Sequence, residues 1–281
     1  MVIFKHVVDL RKCMSAQRAK SAQVGFVPTM GALHEGHVSL ITKAKADDTF
    51  VICSIFINPT QFNDKSDFEK YPVTTEDDIE MLINAGCDVL FLPSVDEMYP
   101  GGASTVRGYD FGFLEQTLEG MQRPGHFHGV GQVVGRLLEI VEPQYLYLGQ
   151  KDYQQCMVIT RLVELMGLNE LKVVICPTVR EPDGLAMSSR NRRLTETQRS
   201  RAGVIYQCLV SIESKRESAP FQIVQKECVE LLAAKGFDVE YIALAEADTL
   251  QPADDYLKDK AMVALIAARI GGVRLIDNIV F

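Results

Sequence analysis

No stretch of the chain approaches the ~20 consecutive apolar residues that a membrane helix requires; the apolar runs at 51–57 and 262–268 are strand-sized. The opening Met1-Val2-Ile3-Phe4-Lys5-His6 lacks the charged-then-apolar order of a secretory signal. A cytoplasmic protein with no membrane partner is expected. Positive charge is in deficit, with 29 Lys and Arg against 37 Asp and Glu and a formal net charge of −8. A surface of that sign repels phosphate backbones, which argues against a nucleic-acid partner but leaves room for one local basic pocket. The seven cysteines are scattered, odd in number, and show no zinc or redox spacing. Buried free thiols in a reducing compartment are expected. Internal repeats and low-complexity tracts are also missing. What remains is an ordinary globular composition, 47% hydrophobic and 23% charged over 281 residues, enough for one large domain or two unequal ones.

Over the first ~180 residues, short β-branched runs alternate with helical patterns, which reads as a parallel α/β layer. Strands are expected at 24–27, 50–57, 89–92, 145–148 and 172–176. Helices are expected at 7–22, 37–46, 76–85, 131–141 and 153–166. The alternation then stops. Two long helices, 195–214 and 221–235, precede strands at 239–245 and 261–268, the pattern of a smaller α+β unit. The boundary is expected near Pro177 to Pro182.

Four apolar strands run directly into polar or glycine-rich segments. These are Pro28-Thr29-Met30-Gly31-Ala32-Leu33-His34-Glu35-Gly36-His37, Asn58-Pro59-Thr60-Gln61-Phe62, Gly149-Gln150-Lys151-Asp152, and a stretch ending in Met187-Ser188-Ser189-Arg190-Asn191. Carboxyl ends of parallel strands share one edge, where ligands bind. His34 and His37, three apart at a strand-to-helix turn, suit phosphate, helped by a helix N-terminus; a chance surface pair or a metal pair are the alternatives. A His-Glu-x-x-His zinc pattern is not present. Lys151 opposes the dipole of the helix it opens, with Asp152 as expected cap, unless an anion also sits there. Ser188, Ser189 and Arg190 are phosphate-donor types, or an ordinary polar loop. Gln61 and Gln155 carry neutral amides suited to hydroxyls and carbonyls. Asp77-Asp78 reads either as a magnesium pair or as an acidic helix start. Arg123-Pro124-Gly125-His126-Phe127 reads as a loop whose role spacing does not define.

At these residues a resemblance becomes specific. Pro28-Thr29-Met30-Gly31 running into His34-Glu35-Gly36-His37 resembles the His-x-Gly-His signature of the nucleotidyltransferase superfamily. Met187-Ser188-Ser189-Arg190-Asn191 resembles the Lys-Met-Ser-Lys-Ser loop of class I aminoacyl-tRNA synthetases. Ile57-Asn58-Pro59-Thr60-Gln61-Phe62, the Arg123 segment, Gly149-Gln150-Lys151-Asp152-Tyr153-Gln154-Gln155, Asp183-Gly184-Leu185 and Leu275-Ile276-Asp277-Asn278 narrow it to the pantoate–β-alanine ligase family, essentially end to end.

That resemblance implies a Rossmann-like catalytic domain over 1–180, a small α+β lid domain over 181–281, and a homodimer. It implies condensation of (R)-pantoate with β-alanine at the expense of ATP, with a pantoyl-adenylate intermediate and AMP and diphosphate as co-products. Met30, Gly31, Ala32, Leu33, His34, Glu35, Gly36, His37, Gly149, Gln150, Lys151, Asp152, Val179, Met187, Ser188, Ser189 and Arg190 fall at ATP positions. His37 is implied as a proton donor, and His34, Lys151, Ser188, Ser189 and Arg190 complete the implied catalytic set. Gln61, Gln155, Asn58 and Arg123 are the candidate substrate contacts, and Mg2+, with Asp77 and Asp78 as candidate ligands, accompanies ATP. Three positions depart from the family pattern: Gln150 for a common Glu, Val73 for a common Arg, and Met81 at a polar position. The rival readings are another adenylyl- or cytidylyltransferase, or a non-catalytic nucleotide-binding module.

Overall fold

The apolar run at 50–55 is buried almost throughout, as a central parallel strand covered on both faces must be. It pairs on both sides in a six-stranded, all-parallel sheet of order β1-β4-β3-β2-β5-β6. The strands are β1 Val2–Phe4, β2 Val24–Thr29, β3 Phe50–Ile55, β4 Val89–Phe91, β5 Tyr145–Gly149 and β6 Lys172–Cys176. The computed structural model describes residues 1–61, 68–69, 71–102 and 106–281. Phe62, named in the sequence motif, lies outside them.

The chain divides into two compact units. The first comprises Met1–Gly149 and Val158–Cys176 and contains the whole parallel sheet. Helix α1 is Val7–Ala19 and α2 is Glu35–Ala46; Leu40, Ile41 and Ala44 of α2 pack with Val51, Cys53 and Leu90 of the sheet in the core of this unit. The second comprises Gln150–Met157 and Pro177–Phe281. There β7 (Asp238–Glu246), β8 (Met262–Ile270) and β9 (Val273–Val280) form an antiparallel sheet of order β7-β8-β9. Leu209 and Leu232, from the helices Val204–Ser214 and Phe221–Ala234, pack with Ile266 of β8 in one core. The sequence reading breaks the chain at 180/181, whereas Gln150–Met157 packs with the later residues.

Several elements differ from expectation. β1 and β9 have no counterpart among the expected strands. The helix expected over 195–214 is two, Glu196–Ala202 and Val204–Ser214, meeting at Gly203. The first begins at a capping box in which Thr195 Oγ1 accepts from Gln198 N and Gln198 Oε1 accepts from Thr195 N. The helix expected from 131 starts at His126 and runs to Val141, so His126 and Phe127 are helical rather than loop. Six cysteines are buried, Cys13 is half-buried, and all seven are free.

Candidate active site

The turn after β2 is built from its own polar atoms and one distant carboxylate. Thr29 Oγ1 donates to Ser54 O at 2.8 Å and accepts from Gly31 N at 3.2 Å. Gly31 and Ala32 then take positive φ, +81° and +50°, a combination that puts two successive amides to one side. Asp78 receives the next two: Ala32 N donates to Oδ2 at 2.9 Å and Leu33 N to Oδ1 at 2.8 Å, while Thr74 Oγ1 donates to Oδ1 at 3.0 Å. Asp78 is 1% exposed. Burial of a carboxylate is tolerable because donors take most of its lone pairs.

Asp77 and Asp78 therefore do not fit a magnesium pair. Asp78 is spent on the turn, and its neighbour Asp77 is exposed. Among the described residues no group of three or more His, Cys, Asp or Glu could hold a metal ion. Met81 packs against the apolar core beneath, which accounts for a thioether at that position.

The two histidines cap the next helix. His34 is the N-cap of α2, and its Nδ1 accepts from Gly36 N at 3.1 Å; His37 Nδ1 accepts from His34 N at 3.3 Å. The expected helix start at 37 is thus two residues earlier, at Glu35. The ring centroids lie 4.1 Å apart. An Nδ1 that accepts a hydrogen bond puts the proton of a neutral imidazole on Nε2. Both rings are thereby set as Nε2–H donors at a helix N-terminus, where the backbone dipole already favours an anion. A cavity of about 250 Å³ opens at Met30 and Gly31, with Ile55 and Phe56 and the segments 72–75 and 92–95 as its walls. Val73, 71% exposed, stands on its rim.

After β3, Asn58 has no exposed surface, and its amide is committed to the fold. Nδ2 donates to Gly129 O, and Oδ1 accepts from Thr60 N, Thr60 Oγ1 and Tyr99 OH. Asn58, read from the sequence as a substrate contact, here holds the strand-end loop. Gln61 is buried with Nε2 2.6 Å from Met30 Sδ. Its carbonyl accepts from His126 Nδ1 at 2.8 Å, and Arg123 donates to His126 Nε2 at 3.1 Å. Arg123 is thus linked through His126 to the main chain at Gln61. The helix bearing His126 approaches so closely that a Cβ on Gly129 would lie 2.5 Å from Thr60 O. Sequence reasoning missed His126; its spacing of three from Arg123 was the available signal.

In the second unit Gln150–Asp152 is a 3-10 turn leading into the helix Tyr153–Leu165. Asp152, expected as a cap, faces the Lys151 ammonium at 3.4 Å. Gln155 is half-buried on the first helical turn. Burial pushes the Tyr153 hydroxyl up to about 12, and it donates to Ala247 O at 2.8 Å. A hairpin follows β6: Met187 N donates to Val179 O, and Arg180 bridges Ala186. Its tip is fastened by a two-pronged ion pair between Asp183 and Arg199, whose guanidinium holds the Asp183 carboxyl below its ordinary value. Beyond it Ser188 Oγ accepts from Arg190 N at 3.3 Å and caps the turn Ser189–Arg193, with Ser189 buried and Arg190 half-buried. Thr178 Oγ1 and Asn191 Oδ1 are buried without a protein partner, each an acceptor whose desolvation a ligand would offset.

The strand order reverses between β2 and β5, and open parallel sheets bind ligands at the carboxyl ends beside such a reversal. The class so defined is a Rossmann-like α/β enzyme. The family model for pantoate–β-alanine ligase matches residues 2–280. The pantothenate synthetase of Cytophaga hutchinsonii is 44% identical over 100% of this chain and 99% of its own length. That of Porphyromonas gingivalis is 44% identical over 99% of each. The crystal structure of pantothenate synthetase from Thermus thermophilus superposes with a TM-score of 0.91 at 40% identity, covering 99% of both chains. The pantoate–β-alanine ligase of Francisella tularensis, solved with βγ ATP and β-alanine, gives 0.82 at 38%, over 99% of this chain and 97% of that one. The chain belongs to the pantoate–β-alanine ligase family and carries that family's activity, the ATP-dependent condensation of pantoate with β-alanine.

Proposed function

We propose that the reaction runs in two steps on the candidate residues named above. A pantoate carboxylate oxygen attacks the α-phosphorus of ATP in line; the bond to the β-phosphate oxygen breaks and diphosphate leaves. The amine of β-alanine then attacks the acyl carbon, the carbon–oxygen bond to AMP breaks, and the amine releases its proton. The carboxylate is ionised at neutral pH, so the first step needs positive charge and fixed donors rather than a base. His34 and His37 supply Nε2–H donors and Lys151 and Arg190 supply charge. Ser188 and Ser189 supply hydroxyls, and the backbone around Met30 to His37, Gln150, Asp152, Val179 and Met187 cradles the nucleotide. Gln61 and Gln155 grip the pantoate hydroxyls, because a guanidinium on the carboxylate would quench the nucleophile. Magnesium, if carried in with ATP, would offset part of the phosphate charge; Asp78 is bonded to Ala32 N and Leu33 N and would not hold it.

The observation that carries this reading is the reciprocal imidazole capping of α2, which fixes two donors at the end of β2. Isotope exchange tests it. With ATP and pantoate alone, labelled diphosphate should exchange into ATP, and AMP should accumulate only when β-alanine is added. Exchange that demands β-alanine would replace the adenylate with a concerted reaction. We also propose a cytoplasmic homodimer, which light scattering on purified protein checks. No described helix is long and apolar enough to cross a membrane.

A further inference from the structure

Resting on the two-step reading above, we propose that Asn278 is the positioning residue for Lys151. Asn278 lies on β9, is 1% exposed, and spends its amide on one turn. Nδ2 donates to Gln150 O and to Lys151 O, each at 2.9 Å, and Oδ1 accepts from Gln150 Nε2 at 3.2 Å. Two consecutive carbonyls of a 3-10 turn point at one planar NH2 group, an arrangement that fixes the peptide planes on both sides of the Lys151 Cα. The direction in which the lysine stem leaves the turn is set by those planes.

The adjoining residue anchors the strand. Asp277 is buried; burial raises its carboxyl pKa, and Arg180 opposes the rise. Arg180 grips Asp277 with both guanidinium nitrogens and also donates to Asn278 O and Gly184 O. Its guanidinium lies 4.0 Å over the Tyr206 ring. Asp277 Oδ1 in turn accepts from Asn278 N at 2.8 Å. The amide that orients Lys151 is therefore backed by an ion pair whose carboxylate is buried and whose guanidinium is half-buried. Gln150 adds a side-chain bond to the same clamp. Its Nε2 donates to Asn278 Oδ1, so both ends of the Asn278 amide are engaged by residues 150 and 151.

The test is a double-mutant cycle in single-turnover adenylate formation from ATP and pantoate. Asn278→Asp is isosteric but replaces the NH2 by an oxygen facing two carbonyls. It should slow the step ~10-fold or more in the wild-type background and less than ~2-fold in Lys151→Ala, because residues acting as a unit are non-additive. The KM for pantoate should stay within ~2-fold. An equal loss in both backgrounds, or a folded Asn278→Asp protein at the wild-type rate, overturns the proposal. If Asn278→Asp does not fold, Asn278→Ser, which keeps a shorter donor, is read in the same cycle with an expected ~3-fold loss confined to the Lys151 background. Wild-type protein that forms no adenylate would sink the two-step reading instead. The cycle is then read on ATP affinity by equilibrium dialysis, with the same pattern expected.

Discussion

The turns that follow β2 and β5 are each held by one buried side chain from far along the sequence, and they are held in opposite senses. Asp78, 45 and 46 positions beyond the residues it binds, accepts the amides of the first turn. Asn278, 127 and 128 positions beyond its partners, donates to the carbonyls of the second. The first clamp takes the positive ends of two peptides; the second takes the negative ends of two others. The first turn then presents imidazoles from a helix cap, the second an ammonium. A charged clamp suits N–H groups and a neutral amide suits C=O groups, because each leaves no polar partner unmet.

The largest effect that would sharpen this contrast belongs to the second turn. Lys151→Ala should cut single-turnover adenylate formation ~100-fold or more, the loss expected for one preorganised charge donor. An unchanged rate would leave that turn without chemistry. Asp78→Asn comes next. It keeps the shape but turns an NH2 toward a backbone N–H, which should cost about 1–3 kcal/mol of stability in denaturant unfolding. A change below about 0.5 kcal/mol would show that the first turn holds itself and that the two clamps are not equivalent. Gln155→Ala should raise the pantoate KM ~10-fold, the value of one lost hydrogen bond, and leave the ATP KM within ~2-fold. Equal effects on both substrates would contradict a pantoate-specific grip.

The smallest effect lies at the hairpin tip. Arg199 depresses the Asp183 carboxyl pKa. Its contribution is therefore present above the unfolded value, about pH 4, and is lost as pH falls through the lower folded value. The pair is partly exposed, so the contribution stays under ~1 kcal/mol. Asp183→Asn should flatten the acid limb of stability against pH by that amount; an unchanged acid limb would remove the pair from the account.

The same two turns show what could be read beforehand. Residues 24–37 announce their structure locally, with an apolar strand, a glycine, and imidazoles spaced for a helix start. Even there His34 as N-cap was not legible, because histidine is an uncommon cap and only the fold aims its Nδ1 at Gly36 N. The β5 turn was legible as a cluster but not in its support. β9 carries Arg274, Asp277 and Asn278 among its apolar residues, which breaks the alternation expected of a half-buried strand. β1 is only three residues long and sits at a sheet edge. Asp78 and Asn58 sat in polar segments and invited ligand roles, yet three-dimensional contacts commit both to the scaffold.

A trans peptide carries its oxygen and its hydrogen on opposite sides. By drawing the carbonyls of Gln150 and Lys151 toward β9, Asn278 also turns the amide hydrogens of residues 151 and 152 the other way. That side of the turn acquires fractional positive charge from the main chain itself. Such charge has no titration point and survives substitution of any side chain that leaves the turn intact, so a loss of Lys151 removes the ammonium while the polarity of its support persists.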